Sequence, residues 1–399
     1  MPLKREMTTM NRQIELLVER AIEGEEFAFN GLEVIRQRNN PQEVQWVANS
    51  YFDRKRYTEA AEWYSLCATH YDSYAITILA TMYCEGKGVE MDEVEGARLY
   101  RMAAEMGDPI AQYQLGTCYD DGTGVEQSYS EALKWFMCSA EGYYPPAYAL
   151  IGEYYLCGYG VKQDDAKAIE WFRKCEDRSP ISLLYLGICY DKGWGVEQDY
   201  EMARKYFINV TNMTTDPATP PEFYMEAEEY LGDYYRLGKG VEIDYKESVK
   251  WYHLAAKHGS SKAQLLLSTF YEQGLGVQKS DAETIKWLRT AAENGHPDAQ
   301  FILGKFYYQA HILEKNVEET IKWFRCAAEQ GHCEAQFYLW AFYDAGEGVE
   351  RNAEEAQKWL LLAAEQGHEK AIELLEEEGI RNKLLTTAQA FEEGDEDYE

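Results

Sequence analysis

Apolar and small residues fall along this chain in two alternating helical stripes. In "AQYQLGTCY", Ala111, Leu115, Gly116 and Tyr119 stand at i, i+4, i+5 and i+8, one face of an α-helix. The same frame holds Ala147, Ile151, Gly152 and Tyr155, then Ala299, Leu303, Gly304 and Tyr307, then Ala335, Leu339 and Tyr343. A second stripe follows in "EALKWFMCSAEG", where Ala132, Trp135, Phe136, Ser139 and Ala140 predict another helix, with Trp135 expected to lock the pair. Small residues close this second helix, as Ala103–Ala104, Ala255–Ala256, Ala291–Ala292, Ala327–Ala328 and Ala363–Ala364, and permit close approach of neighbouring helices.

The two stripes recur. Between them lies Gly-x-Gly-Val, at Gly86, Gly122, Gly158, Gly193, Gly238, Gly274 and Gly346, successive copies standing 36, 36, 35, 45, 36 and 72 residues apart, a period of 36. One copy is degenerate and reads Ala310, His311, Ile312, Leu313. A second marker keeps the beat through it: Trp63, Tyr100, Trp135, Trp171, Tyr206, Trp251, Trp287, Trp323 and Trp359. The array therefore runs continuously over residues 41–375, with a longer Thr/Pro-rich loop at 209–223. Residues 1–40 predict a helical cap for the exposed first face, and 376–399 a polar cap followed by a disordered acidic tail.

The punctuation has a mechanism. The first glycine follows the framework tyrosine, where a helix end calls for a left-handed residue. Three residues past the valine or leucine stands an N-cap residue: Asp92, Ser128, Asp164, Asp199, Asp244, Ser280, Asn316 or Asn352. Six of these have Glu three positions on, as in Ser128 and Glu131, which predicts a reciprocal capping box.

Ala-x-x-x-Leu-Gly-x-x-Tyr, Gly-x-Gly-Val, Asp, Ala-x-x-Trp and Ala-Ala together closely resemble the Sel-one-like repeat, a longer-loop relative of the tetratricopeptide repeat. The resemblance implies an all-α, right-handed α/α superhelical solenoid, with the first helix of each pair lining a concave side that holds protein partners. The first copy, "VQWVANSYFDRKRYTEAAEWY", lacks the glycine loop and looks like a plain tetratricopeptide unit.

Composition narrows the partners. With 70 acidic against 39 basic residues the formal charge is −31, which disfavours nucleic acid and an anionic membrane surface. No apolar run suits a signal or a spanning segment, so a soluble, cytoplasmic and monomeric chain is expected. The nine cysteines form no CxxC pair and read as small core residues of a reducing compartment.

Candidate chemistry is sparse. His296, His332 and His368 share one repeat position and stand too far apart to share a metal, so no metal site is expected. The glycine motifs lack the Lys-Ser/Thr of a phosphate loop and follow a helix, so neither a cofactor nor a catalytic residue is assigned. Cysteine-rich relatives of this family include β-lactam-active proteins, but only Cys326 and Cys333 fall together here, in a different frame. A β-lactam-active enzyme and a carbohydrate- or peptidoglycan-binding protein stand as alternatives to a non-enzymatic scaffold.

By the resemblance, the inward positions lie two after the framework Ala, one after the Gly and one after the Tyr. They give Tyr113, Thr117, Asp120, Glu153, Asp191, Glu229, Asp233, Phe301, Lys305, Phe337 and Asp344 as the partner-binding row. Mixed aromatics and acids suit a peptide that carries basic and apolar groups.

Overall fold

The computed structural model describes residues 2–213, 221–377 and 379, so segment 380–399 with its acidic tail and residues 214–220 of the 209–223 insertion lie outside the described residues. Among those described, the ordered elements are helices. The chain divides into two compact units, Met1–Tyr206 and Phe207–Glu399.

The first unit opens with α1 (Pro2–Ile22) and α2 (Glu26–Arg38), where one capping helix was expected. Ile14, Val18 and Ala21 of α1 are buried in the same cluster as Leu32 and Ile35 of α2 and Val44 and Val47 of α3 (Pro41–Asp53). Helix pairs then follow: α3 with α4 (Tyr57–Ala68), α5 (Ser73–Glu85) with α6 (Glu93–Glu105), α7 (Pro109–Asp121) with α8 (Tyr129–Glu141), and α9 (Pro145–Cys157) with α10 (Asp165–Arg173). The unit continues through α11 (Pro180–Lys192) into α12 (Tyr200–Asn212). The second unit holds α13 (Pro221–Leu237) with α14 (Tyr245–Lys257), α15 (Ser261–Gln273) with α16 (Asp281–Glu293), α17 (Pro297–Gln309) with α18 (Val317–Glu329), and α19 (Cys333–Ala345) with α20 (Ala353–Glu365).

Each predicted N-cap is in place; Ser128 Oγ accepts from the Glu131 N–H and Asp92 from the Glu95 N–H. The reciprocal half of the box is not. The cap's own N–H donates to the framework tyrosine carbonyl, at 2.8 Å for Ser128 to Tyr119 and 3.1 Å for Asn352 to Tyr343. The glutamate turns outward to a cation three residues on, as in Glu283 with Lys286 at 2.9 Å. A loop pinned at both ends leaves the glutamate no donor to reach back for.

The glycines do two different things. Gly122 closes α7 with φ 77°, as its place after the tyrosine predicts. At Gly124, φ 67°, an added Cβ would stand 2.0 Å from the Glu93 carbonyl oxygen, so this glycine lets the loop lie on the first turn of α6 in the preceding repeat. In the degenerate copy Ala310 and Ile312 take the same left-handed backbone, at φ 55° and 62°.

Within a pair a glycine and an aromatic interlock beside the tryptophan. A Cβ on Gly116 would meet the Phe136 ring at 2.5 Å, and on Gly152 the Phe172 ring at 2.4 Å; the glycine makes room for an aromatic of the partner helix that is 0% exposed. Trp135 joins the cluster that holds Leu115 and Cys118 of its own pair's α7 and runs back through the preceding repeats, and Trp171 joins the cluster of Ile151 in its own α9 and Phe136 in the preceding α8. The same holds in the second unit, where Trp287 packs on the cluster of Tyr252 and Leu267. The framework tryptophan thus belongs to the core of its own pair, as expected, and also joins that pair to the preceding repeat.

Candidate partner-binding face

The first-helix row is built largely from contacts between successive repeats. The position two after the framework Ala meets the N-cap side chain of the next first helix, 31 residues on. Tyr113 stands 5.3 Å from Tyr144, Phe301 4.5 Å from His332, and Phe337 is stacked 4.2 Å from His368. Glu229 accepts from the Ser260 hydroxyl and pairs with Lys262 at 3.2 Å. These side chains are half-buried mortar with one edge outward.

The histidines have a helical role. His332 Nδ1 accepts the Ala335 N–H at 3.1 Å and His368 Nδ1 the Ala371 N–H at 3.3 Å, the cap that Asp72, Asp108, Ser179 and Ser260 supply elsewhere. Their Nε2 atoms face Asp298 and Glu334, both at 3.4 Å.

The remaining row positions differ sharply in electrostatic company. Thr117 donates to the Tyr113 carbonyl at 3.2 Å, an intrahelical bond. Asp120 accepts from the Tyr154 hydroxyl. Glu153 sits between Asp120 and Tyr185; burial raises its pKa, and a hydrogen bond from Tyr185 offsets part of that. Asp191 is 1% exposed and pairs with Lys192 at 2.9 Å, so it is withdrawn from any surface offered to a partner. Asp233 accepts from Arg236 Nε at 3.1 Å, the Tyr252 hydroxyl at 2.8 Å and Lys262 Nζ at 3.1 Å. Burial would raise its pKa, but Arg236, Tyr252 and Lys262 together hold it below the ordinary range. Lys305 lies over the Phe301 ring at 5.5 Å, and Asp344 is exposed, 3.5 Å from Arg351.

One concavity touches this row. A cavity of about 450 Å³ is lined by Cys333, Glu334, Phe337, Tyr338, His368 and Lys370. Among the described residues no group of three or more His, Cys, Asp or Glu could hold a metal ion, and no helix is long and apolar enough to cross a membrane. All nine cysteines are free thiols, and burial pushes those of Cys67, Cys118 and Cys189 up to about 12.

A buried polar ladder escaped the sequence reading. Gln264, Gln300 and Gln336, next to the framework Ala, donate to the carbonyls of Ala256, Ala292 and Ala328 at 3.0–3.1 Å. Their side-chain oxygens accept from Asn294, Gln330 and Gln366 at 2.7–2.9 Å. The repeated Ala-Gln was the available signal.

The helix pairs, their glycine loops and their period are those of a known repeat, whose profile matches residues 73–108, 109–143, 145–174, 180–208, 226–260, 261–296, 297–332 and 333–368. The chain belongs to the Sel1 repeat family. A Sel1 repeat protein from Oxalobacter formigenes is 30% identical, over 82% of this chain and 90% of that one, with a TM-score of 0.60. A protective antigen of uropathogenic Escherichia coli strains, displaying an SLR fold, is 26% identical over 94% of this chain and 90% of its own, with a TM-score of 0.42. An immunity protein from Pseudomonas aeruginosa is 18% identical over 57% of this chain and 82% of its own, with a TM-score of 0.37. No curated protein matches the chain. The Sel1 matches begin at α5, so the α3–α4 pair stands outside them. Sel1 solenoids are in general scaffolds for protein–protein interaction, and the remaining question is which surface of this one is offered.

Proposed function

We propose that this Sel1 solenoid is a non-enzymatic adaptor, working as a monomer in the cytoplasm, that binds a protein or peptide with a basic segment along its first-helix face. The observation that carries the reading is the contrast between frame and row. Frame residues such as Ala111, Leu115, Ala147 and Ile151 are 0% exposed and nearly invariant from repeat to repeat. The row beside them varies in chemistry, as Tyr113, Ala149, Glu229, Leu265, Phe301 and Phe337 at one position and Asp120, Leu156, Asp191, Arg236, Glu272, Tyr308 and Asp344 at another. A surface that only needed to be soluble would not place half-buried aromatics next to acids on a rigid repeat.

The test is quantitative affinity capture with the full chain and with a variant reversed at Asp120, Glu153, Asp233 and Asp344 to lysine. The parent should retain a defined set of proteins that is lost on raising salt from low to physiological strength, and the variant should retain none of it. Identical, salt-indifferent capture by both proteins would sink the proposal, provided circular dichroism shows equal helicity.

A further inference from the structure

The first unit carries an exposed aromatic ledge on its glycine loops. Tyr129, at the start of α8, is 39% exposed and lies 5.2 Å from Tyr159, its ring at 23° to it. Tyr159 is 42% exposed and occupies the variable position of Gly158-Tyr159-Gly160. Tyr154, 2% exposed, supports both rings edge-on at 5.8 and 6.2 Å. One repeat on, Trp194 holds the position of Tyr159 and is also 42% exposed. Aromatic rings held this firmly with a face in water are unusual on a surface that needs only solubility.

The company of the ledge is anionic. Asp120 bonds to Tyr154, and Glu153 acts electrostatically on Tyr159. The second unit supplies an internal control, because Glu153 and Asp233 occupy the same frame position, one after the framework glycine. Asp233 is met by Arg236 from its own helix and Lys262 from the next first helix. At the equivalent places beside Glu153 stand Leu156 and Ile181. Lys167 is engaged with Asp164 at 3.3 Å and Lys192 with Asp191 at 2.9 Å. Where the second unit closes its own ion pairs, the first presents carboxylates beside open π-faces.

We propose that the Tyr129–Tyr159–Trp194 ledge is the docking surface for an extended, arginine- or lysine-bearing segment of a protein partner, its cations stacked on the rings and facing Asp120 and Glu153. A planar guanidinium satisfies both features at once, by cation–π contact and by pairing with carboxylate. A second copy of this chain is a poor occupant at a formal charge of −31. The assignment rests on the adaptor reading and gives it a location and a partner chemistry.

The experiment is calorimetric titration of the full chain with a synthetic peptide alternating arginine and leucine, at physiological salt. Tyr159→Ser with Trp194→Ser changes no charge and truncates only exposed rings, so general attraction to an acidic protein is unaffected. This variant should bind about tenfold more weakly than the parent. Tyr71→Gly, which removes a 74% exposed ring elsewhere, should change affinity by less than about twofold. Equal affinity of parent and ledge variant, equal loss with Tyr71→Gly, or ledge-dependent binding of a neutral glucan oligosaccharide instead of the peptide would each overturn the ledge. Loss only on charge reversal at Asp233 and Asp344 would also overturn it while leaving the adaptor function intact. A parent chain that binds no peptide removes both.

Discussion

The two units solve the same joint in different ways. In the second, the turn between a second helix and the next first helix is uniform: a positive-φ glycine at Gly259, Gly295, Gly331 or Gly367, and beneath three of these turns a buried glutamine bonded on both sides. Its first rung, Glu228 with His258 Nδ1 at 2.8 Å, keeps the geometry with an acid. In the first unit the ladder is interrupted. Gln112 still donates to Ala104 at 3.1 Å, but the residue placed to face it is Gly142, and the next rung is a tyrosine, Tyr148, donating to Ala140 at 2.9 Å. The turn glycine is kept there at Gly107 but replaced in two other turns by Tyr71 and Tyr143, at φ 57° and 61°, the most exposed large apolar side chains among the described residues. One unit repeats itself; the other is individualised, and individual surface is where recognition has room to develop.

The largest expected effect tests what both units share. Gly124→Ala forces a methyl against the Glu93 carbonyl at a left-handed backbone position, and should cost roughly 3 kcal/mol, read as lost hydrogen-exchange protection in α6 and α8. Local exchange is the right measurement, because a long repeat array need not unfold in two states.

Next comes the ladder itself. Gln300→Leu removes two hydrogen bonds, although the Ala292 carbonyl keeps the Gly295 N–H and the Gln330 amide keeps the Cys326 carbonyl, and should destabilise its repeat by about 1–2 kcal/mol. Gln112→Leu removes one hydrogen bond to a carbonyl that keeps the Gly107 N–H and should cost about 0.5 kcal/mol. Equal losses in the two units would erase the distinction drawn between their joints.

A pH comparison sharpens it further. Burial raises the folded-state pKa of Glu153 above its unfolded value, so the folded chain holds this proton more tightly and stability falls as pH rises through that raised pKa. Asp233 has the opposite sign: its hydrogen-bonded partners lower its pKa, so its contribution is present above the unfolded value and is lost as pH falls through the folded one. At neutral pH Glu153→Gln should therefore stabilise the chain and Asp233→Asn destabilise it, with both differences vanishing in acid, as measured by denaturant melts across pH. The smallest effect is expected at the turn, where Tyr143→Gly should stabilise by about 0.5–1 kcal/mol by relieving a left-handed tyrosine.

Much of this was legible in one dimension because it is local. The N-caps, the glycine closures and the helix stripes each depend on residues within about a turn of one another. The misreadings share a cause as well. The capping box failed at its reciprocal half because the framework tyrosine carbonyl, nine residues back, reaches the cap first. Trp135 does share a cluster with Leu115 and Cys118 of its own pair, but its stripe does not show that this cluster extends into the preceding repeats. Asp191 and Asp344 occupy the same frame position, yet one is 1% exposed and the other lies open beside Arg351.

By itself the sequence determined the repeat: its period, its helix pairs, its loop and caps, and hence the Sel1 family, since an amphipathic stripe with punctuation specifies local structure wherever it occurs. Only the tertiary structure decided the surface. Glu153 and Asp233 are written in one frame, and what separates them is the residue that stacking brings to each from the next first helix, Tyr185 in one case and Lys262 in the other. A side chain's charge balance is set by neighbours about thirty positions away, which the chain's own pattern does not weigh until the repeats are packed.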